Sequence, residues 1–575
     1  MIETFIITSF RKDYIQLTGV RFYGETYQKV NSCPDSKKFK DGSFYFLNSF
    51  ANMKYFIEAF PEAVWEGDAE TRKREYLEFI KKEVEIGKAK EIEIISSDFH
   101  FKTKPYAHQL KAFEISKDLK SYALLFEQGC GKTKVALDNA DYLFRKKRIK
   151  ALIVIAPNGV HRNWINEEVP IHLNCENKSF VWDCSKFNEK MEDKFLELVA
   201  DKEDVLKIFS FNIEAFVSFK TRKALNTIIS FHECLVVIDE SHKIKNPSAK
   251  RTKFLISLSD RMTYKRILTG TPIGNGVHDI YSQFKFLDEK IIGLSSFYAF
   301  KSKYCMMGGY EGRQIVGYRD IQDLQEKIKN NSMRVLKSEC LDLPERIWQK
   351  TFFDLTTEQL TLYKEVKNES IALFNMIKGN EERDPIIIEN AMTKVTKMRQ
   401  IASGYFYDTQ NKECIEIVPF DKNPKLLRLK ELSEEIIGKI IIWTVFTKDI
   451  ELILKLFGNQ AVRYDGKVSQ DDREINKIAF QQDENIRFFV ANISAGSEGL
   501  TLNSASNVIY YNNDYSLLKR SQSEARNHRI GSKQTVVYND LIGNKTLDNK
   551  IIKCLRNKQG IADMILQDPI NFFME

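Results

Sequence analysis

Nothing in these 575 residues reads as a helical membrane span, because no segment reaches the ~18 apolar residues that a bilayer crossing needs. The opening MIETFIITSFRKDY has only a short apolar run and lacks the order of a secretory leader, so a soluble, unprocessed, cytoplasmic protein is expected. Cysteine is sparse and scattered: there are nine, the closest pair being Cys175 and Cys184, so no C-x-x-C spacing offers a zinc or iron–sulfur site. Reduced core thiols are the expectation. Internal repeats and low-complexity tracts are absent. Neither charge sign dominates, since 87 Lys and Arg against 79 Asp and Glu leave +8. That mild basic excess is compatible with a polyanionic partner but common without one. With 43% apolar and 29% charged residues, extended disorder is excluded, and the length leaves room for roughly three or four domains.

What is present is a set of short runs rich in β-branched residues: ALIVIAP (151–157), CLVVIDE (234–240), KIIIWTVF (439–446), IRFFVANIS (486–494) and NVIYYNN (507–513). Continuous apolar runs of this length between amphipathic helical stretches predict parallel strands buried on both faces. They fall into two α/β groups, within 101–290 and 425–550. The stretch 291–424 between them is mostly helical in pattern. Residues 1–100 differ: FIITSFRKDYIQLTGVRFY alternates like strands, NSFANMKYFIEAF reads as a short helix, and a charged helical connector follows. This predicts a small accessory α+β domain whose aromatics form its own core.

ALLFEQGCGKTKVAL (123–137) joins a buried strand to a helix through a glycine loop. It fits G-x-x-x-x-G-K-[ST], except that Phe126 replaces the first glycine. Gly129 and Gly131 would let backbone N–H groups, with that of Cys130, close on phosphates; Lys132 would meet the terminal phosphates and Thr133 would hold magnesium. VVIDESH places Asp239 and Glu240 at the end of a second apolar strand. Hydrolysis of a nucleoside triphosphate needs such a pair, one carboxylate for the magnesium shell and one to orient and deprotonate water. In ILTGTPIGN, Thr269 and Thr271 offer hydroxyls suited to reporting the phosphate state. Gln109, shortly before the loop strand, carries an amide that can donate to and accept from an adenine edge. QSEARNHRIGS supplies Arg526 and Arg529 three residues apart, and arginine suits the charge that builds on a transferring phosphoryl group.

In order and spacing, EQGCGKT, IAPNGVHRNW, SFN, DESHKIKNPSAKRTK and LTGTPIGN resemble motifs I, Ia, Ib, II and III of the Swi/Snf family of DNA-dependent ATPases in helicase superfamily two. YDGKVSQDDRE, ISAGSEGLTLNSASNVIYYNNDYS and QSEARNHRIG resemble its later motifs. The resemblance covers roughly residues 101–575. It implies two RecA-like parallel-sheet lobes with helical insertions, beside the N-terminal α+β domain. The implied boundaries are 1–100 accessory domain, 101–330 first lobe with a helical protrusion, 331–424 inter-lobe link with a second protrusion, and 425–575 second lobe. It also implies that His242, Gly499 and Gln522 join the ATP site, that Ser494 and Gly496 lie with Thr269 and Thr271 in coupling or DNA contact, and that Arg526 and Arg529 reach ATP across a cleft. The chain departs from the family pattern at Cys130, Met333, Ala525 and Ser532.

The implied activity is an ATP- and Mg2+-dependent motor, probing duplex or branched DNA through the phosphate backbone, monomeric and without membrane attachment. The compact size and the lack of chromatin-reading appendages point to replication, recombination or repair in a phage or bacterium. Two other readings stay open: a strand-separating or annealing helicase, and a nucleotide-dependent switch that remodels protein complexes.

Overall fold

The computed structural model describes residues 6–555 except 11–13, 19–24, 36, 41–42, 92–95, 159, 184–187, 275, 309–313, 341–343, 380–392, 394–395, 408–412, 497–499, 501, 515, 529–533, 550 and 553–554. They fall into two compact units, one within residues 1–340 and one within 341–566.

The first unit opens with a five-stranded sheet in the order Lys37–Lys40, Ser43–Leu47, Tyr14–Thr18, Ile6–Phe10, Val64–Trp65. Alternation puts Ile15, Leu17, Phe44 and Phe46 on one face, where the helix Phe50–Ala59 covers them; Phe46 and Phe56 meet edge-to-face at 4.7 Å. The aromatics of this segment are its core, as expected. A long helix, Asp68–Glu91, carries this small domain onto the larger sheet of the same unit. Its Glu83 accepts from the Asn331 amide at 2.7 Å, and Asp35 accepts from the Ser295 hydroxyl at 2.9 Å.

That larger sheet has seven parallel strands in the order Ser332–Val335, Ser121–Phe126, Tyr264–Leu268, Cys234–Asp239, Ala151–Ala156, Leu206–Asn212, Asn177–Trp182. Every residue of Ser121–Phe126, Ala151–Ala156 and Cys234–Asp239 is buried, the physical counterpart of their unbroken apolar runs. The second unit holds a six-stranded parallel sheet in the order Arg346–Phe353, Val536–Gly543, Asn507–Tyr510, Ile440–Thr444, Phe488–Asn492, Ala461–Tyr464. The five strands expected from apolar runs are all present.

Two short hairpins interrupt the mostly helical stretch 291–424. Cys305–Gly308 pairs antiparallel with Gln314–Tyr318, and Tyr405–Tyr407 with Cys414–Glu416. Next to the expected boundary at 331, Ser332–Val335 is an edge strand of the first sheet, and Arg346–Phe353 is an edge strand of the second. Both were hidden because edge strands are half solvated. Arg346–Phe353 buries only Thr351 and Phe353, so it lacks the apolar run that marks a central strand. The helix Thr357–Gly379 matches the helical texture expected there, while much of the second expected protrusion lies outside the described residues.

Candidate nucleotide site at the strand ends of the first unit

In an open parallel sheet, ligands bind beyond the carboxyl ends of the strands. Three neighbouring strands end together here. Ser121–Phe126 runs into the glycine loop, Tyr264–Leu268 into Thr269, and Cys234–Asp239 into Glu240.

The loop turns with Gly129 at φ 85° and Gly131 at φ 78°, left-handed values that favour glycine, and Gly131 caps the helix Lys132–Arg145. A Cβ on Gly131 would also stand 2.2 Å from Gln109 Nε2. The first helical turn leaves backbone N–H groups without intrahelical acceptors, as any helix does, and so offers an anion its donors. Lys132 is buried, its ammonium donating to the Phe126 carbonyl at 3.1 Å and the Glu127 carbonyl at 3.5 Å. Thr133 follows it on the first turn.

Asp239 accepts from the Trp164 indole N–H at 2.9 Å through Oδ2 and from the Glu240 N–H at 2.9 Å through Oδ1. Burial pushes its carboxyl up to about 6; the Glu240 charge adds to the rise, while Lys132, Trp164 and the Glu240 N–H oppose it. The opposing effect of Lys132 places ammonium and carboxylate in one electrostatic site. Glu240 sits at φ 49°, ψ 54°, a left-handed conformation that costs a non-glycine residue about 1–2 kcal/mol. That turn aims its carboxylate along a short relay. Glu240 Oε2 lies 3.2 Å from His242 Nδ1, which lies 3.5 Å from Thr269 Oγ1, which accepts from the Thr271 N–H at 3.1 Å. The Thr271 hydroxyl oxygen is buried, with no hydrogen-bond partner among the described residues.

Gln109 is buried, accepting from the Tyr106 N–H at 3.0 Å and donating to the Cys130 carbonyl at 3.2 Å. Thus Gln109, Gly129, Cys130, Gly131, Lys132, Thr133, Asp239, Glu240, His242, Thr269 and Thr271 belong to one set of adjoining strand ends and loops. Sequence reasoning passed over two contributors. His108 Nε2 reaches the same Cys130 carbonyl at 2.8 Å, and Trp164 holds Asp239. Trp164 was visible as the tryptophan closing HRNW; His108 carried no signal beyond standing next to Gln109.

In the second unit the expected residues are spread out. Gln522 is buried with its amide Nε2 unpartnered. Arg526 is buried too, with Nε donating to the Gln522 carbonyl at 2.8 Å and Nη1 to the Leu500 carbonyl at 3.2 Å. Arg520, not singled out from sequence, forms a buried network there: it donates to Asp540 and Asn513 at 2.5 Å each and to Glu524 at 2.7 Å. Arg529 and Gly499 lie outside the described residues. Ser494 is exposed, its N–H held by Asn492 Oδ1 at 2.9 Å. Gly496 is buried, and a Cβ there would stand 2.4 Å from the Trp443 ring. The structure therefore gives Gly496 a packing reason. Gly496→Ala is expected to cost about 1–3 kcal/mol by overpacking, read as a lowered thermal midpoint, whereas Ser494→Ala should stay within about 0.5 kcal/mol.

The SNF2-related domain family matches residues 16–404, more than half of the chain, and the helicase conserved C-terminal domain matches residues 421–531. The chain belongs to the SNF2-related family. The seven-stranded sheet lies within the first of these matches. Among relatives, the chromatin remodeling factor mit1 of Schizosaccharomyces pombe is 23% identical over 472 residues, 77% of this chain and 31% of that protein. An uncharacterized ATP-dependent helicase of Mycoplasma pneumoniae is 25% identical over 461 residues, 78% of this chain and 40% of that protein. The chain thus spans well under half the length of either. A solved structure, the Sulfolobus solfataricus SWI2/SNF2 ATPase core in complex with dsDNA, is 23% identical and covers 83% of this chain and 96% of that one, with a TM-score of 0.36. That superposition is loose, so the fold of this SNF2-related chain rests on its own strand order. No helix among the described residues is long and apolar enough to cross a membrane.

Proposed function

We propose that this chain hydrolyses ATP to move along duplex DNA. The observation that carries the reading is the relay from the buried acidic pair to a second motif: Glu240 to His242 at 3.2 Å, His242 to Thr269 at 3.5 Å, and Thr269 to the Thr271 N–H at 3.1 Å. Such contacts suit a motor more than a plain phosphatase, because they join the carboxylate assigned to water to the Thr269–Thr271 turn at the neighbouring strand end.

The residues fit ATP and its metal. The Lys132 ammonium rests on the Phe126 and Glu127 carbonyl oxygens within the electrostatic reach of Asp239, and left-handed Gly129 and Gly131 shape the loop around it. Thr133 and Asp239 would hold Mg2+, partly through water, and the ion would neutralise phosphate charge. Lys132 binds the β- and γ-phosphates, Gln109 reads the base, and Glu240 orients the attacking water and takes its proton. In the second unit we assign Arg526 and Arg529 to the charge on the transferring phosphoryl group, Gln522 and Gly499 to ATP binding, and Ser494 and Gly496 to coupling or DNA contact.

The relatives named above include a chromatin remodeling factor and an ATP-dependent helicase, which supports a DNA-tracking role. Within that role we favour a compact cytoplasmic enzyme of replication, recombination or repair in a bacterium or phage, working as a monomer. The test is ATP turnover with single-stranded, duplex and branched DNA in parallel. Duplex DNA should raise turnover, and the stimulation should fall steeply with added salt, as phosphate contacts do. Turnover unchanged by saturating duplex DNA would instead support a nucleotide-dependent switch acting on proteins.

A further inference from the structure

Two cysteine thiols that the site reading leaves unused face each other at the phosphate loop. Cys130 is the residue between Gly129 and Gly131, fully buried; Cys340 ends the short helix Lys337–Cys340 and is partly exposed. Their sulfurs lie 3.9 Å apart. The segment that brings Cys340 there is tied to the loop by two further bonds. The Glu127 N–H donates to the Val335 carbonyl at 2.9 Å, and Glu127 Oε2 accepts from the Lys337 N–H at 2.8 Å. On its other side, the Cys130 carbonyl is held by His108 at 2.8 Å and Gln109 at 3.2 Å. Cys130 is therefore gripped by the groups placed around the nucleotide and faces a thiol on the chain that leaves the first sheet.

We infer that Cys130 and Cys340 are a peroxide-sensitive thiol pair whose disulfide shuts the nucleotide site. The inference rests on reading the Lys132 loop as the ATP site. In the first step the sulfur of Cys340, the more accessible thiol, attacks one oxygen of hydrogen peroxide. The O–O bond breaks, the thiol proton goes to the departing hydroxide, and water leaves a sulfenic acid on Cys340. The Cys130 sulfur then attacks that sulfur; the S–O bond breaks and its hydroxyl leaves with the Cys130 proton as a second water. Two thiols are oxidised and one peroxide is reduced. Bonding requires the sulfurs to close from 3.9 Å to about 2.0 Å. That draws the loop toward Lys337–Cys340 and out of the conformation in which its N–H groups meet phosphate.

Burial pushes the Cys130 thiol up to about 12, with the neighbouring Cys340 adding to the rise, and burial raises Cys340 as well; Lys132 and Lys337 oppose the rise at Cys130. Both rises favour the thiol over the reactive thiolate, so the pair answers to peroxide slowly at neutral pH and closes faster as pH rises.

The test uses the full-length chain titrated with hydrogen peroxide, capped with iodoacetamide and digested without reductant. Mass spectrometry should find the Cys130 and Cys340 peptides joined, two hydrogens lighter than their sum. ATP binding, measured by calorimetry on the same samples, should fall in proportion and return with dithiothreitol. Cys340→Ser should bind ATP as the untreated protein does, before and after peroxide. Absence of the joined peptide overturns the pairing; so does equal peroxide sensitivity of the Cys340→Ser variant. A joined peptide with ATP binding intact overturns the shut-off. A joined peptide in a protein whose reduced form binds no ATP supports the pairing and sinks the ATP assignment instead.

Discussion

Lys132→Ala is expected to lower ATP turnover by about 10³ or more while leaving the fold in place. The ammonium is the one cation that the glycine loop carries into the site, and phosphoryl transfer depends on charges placed before the reaction begins. Its present partners are two carbonyls at the end of a strand, at 3.1 and 3.5 Å, whose ladder bonds survive without it. Losing one hydrogen-bond donor of this kind costs about 1 kcal/mol of stability, a small fraction of what a seven-stranded sheet with a buried centre contributes. Turnover measured beside a thermal melt separates the two effects. Near-normal hydrolysis in a folded variant would remove the loop from the site.

Glu240→Gln should fail at a different step. The amide keeps the size of the side chain and the left-handed turn at φ 49°, so Asp239 retains its bonds to Trp164 and to the backbone N–H of residue 240. What disappears is the group that can take a proton from water. A positioned base contributes about 10²–10⁴ in rate, so single-turnover hydrolysis should slow by that factor with ATP affinity almost unchanged. Loss of ATP binding in this variant would mean that Glu240 holds the substrate, and its role as base would fall.

The central strands, the glycine loop and the acidic pair were open to sequence reading for one shared reason. Each is a place where physics permits few residue types: apolar on both faces in Ala151–Ala156, glycine at Gly131, adjacent carboxylates at Asp239 and Glu240. Less constrained positions stayed hidden. Ser332–Val335 and Arg346–Phe353 are edge strands, and solvent on one side relaxes their composition. His108 and Trp164 act through contacts made over 22 and 75 positions in the chain, a separation no local pattern encodes. Gly496 looked like a ligand-facing glycine in a motif, and only the Trp443 ring packed against it supplies the other explanation.

The strand order also sets a schedule for the ribosome. Ser121–Phe126 lies between Tyr264–Leu268 and Ser332–Val335, both made after it. At about 5–20 residues per second, the roughly 200 residues from the first of these strands to the last take about 10–40 s to emerge. Until Tyr264–Leu268 emerges the nascent chain carries GCGKT after a strand with neither flank paired, and until Ser332–Val335 emerges one flank stays open. A fragment released before residue 264 can pair four strands of the sheet but lacks the one that joins the loop strand to them, so nucleotide can lend the loop no stability until that strand has been translated.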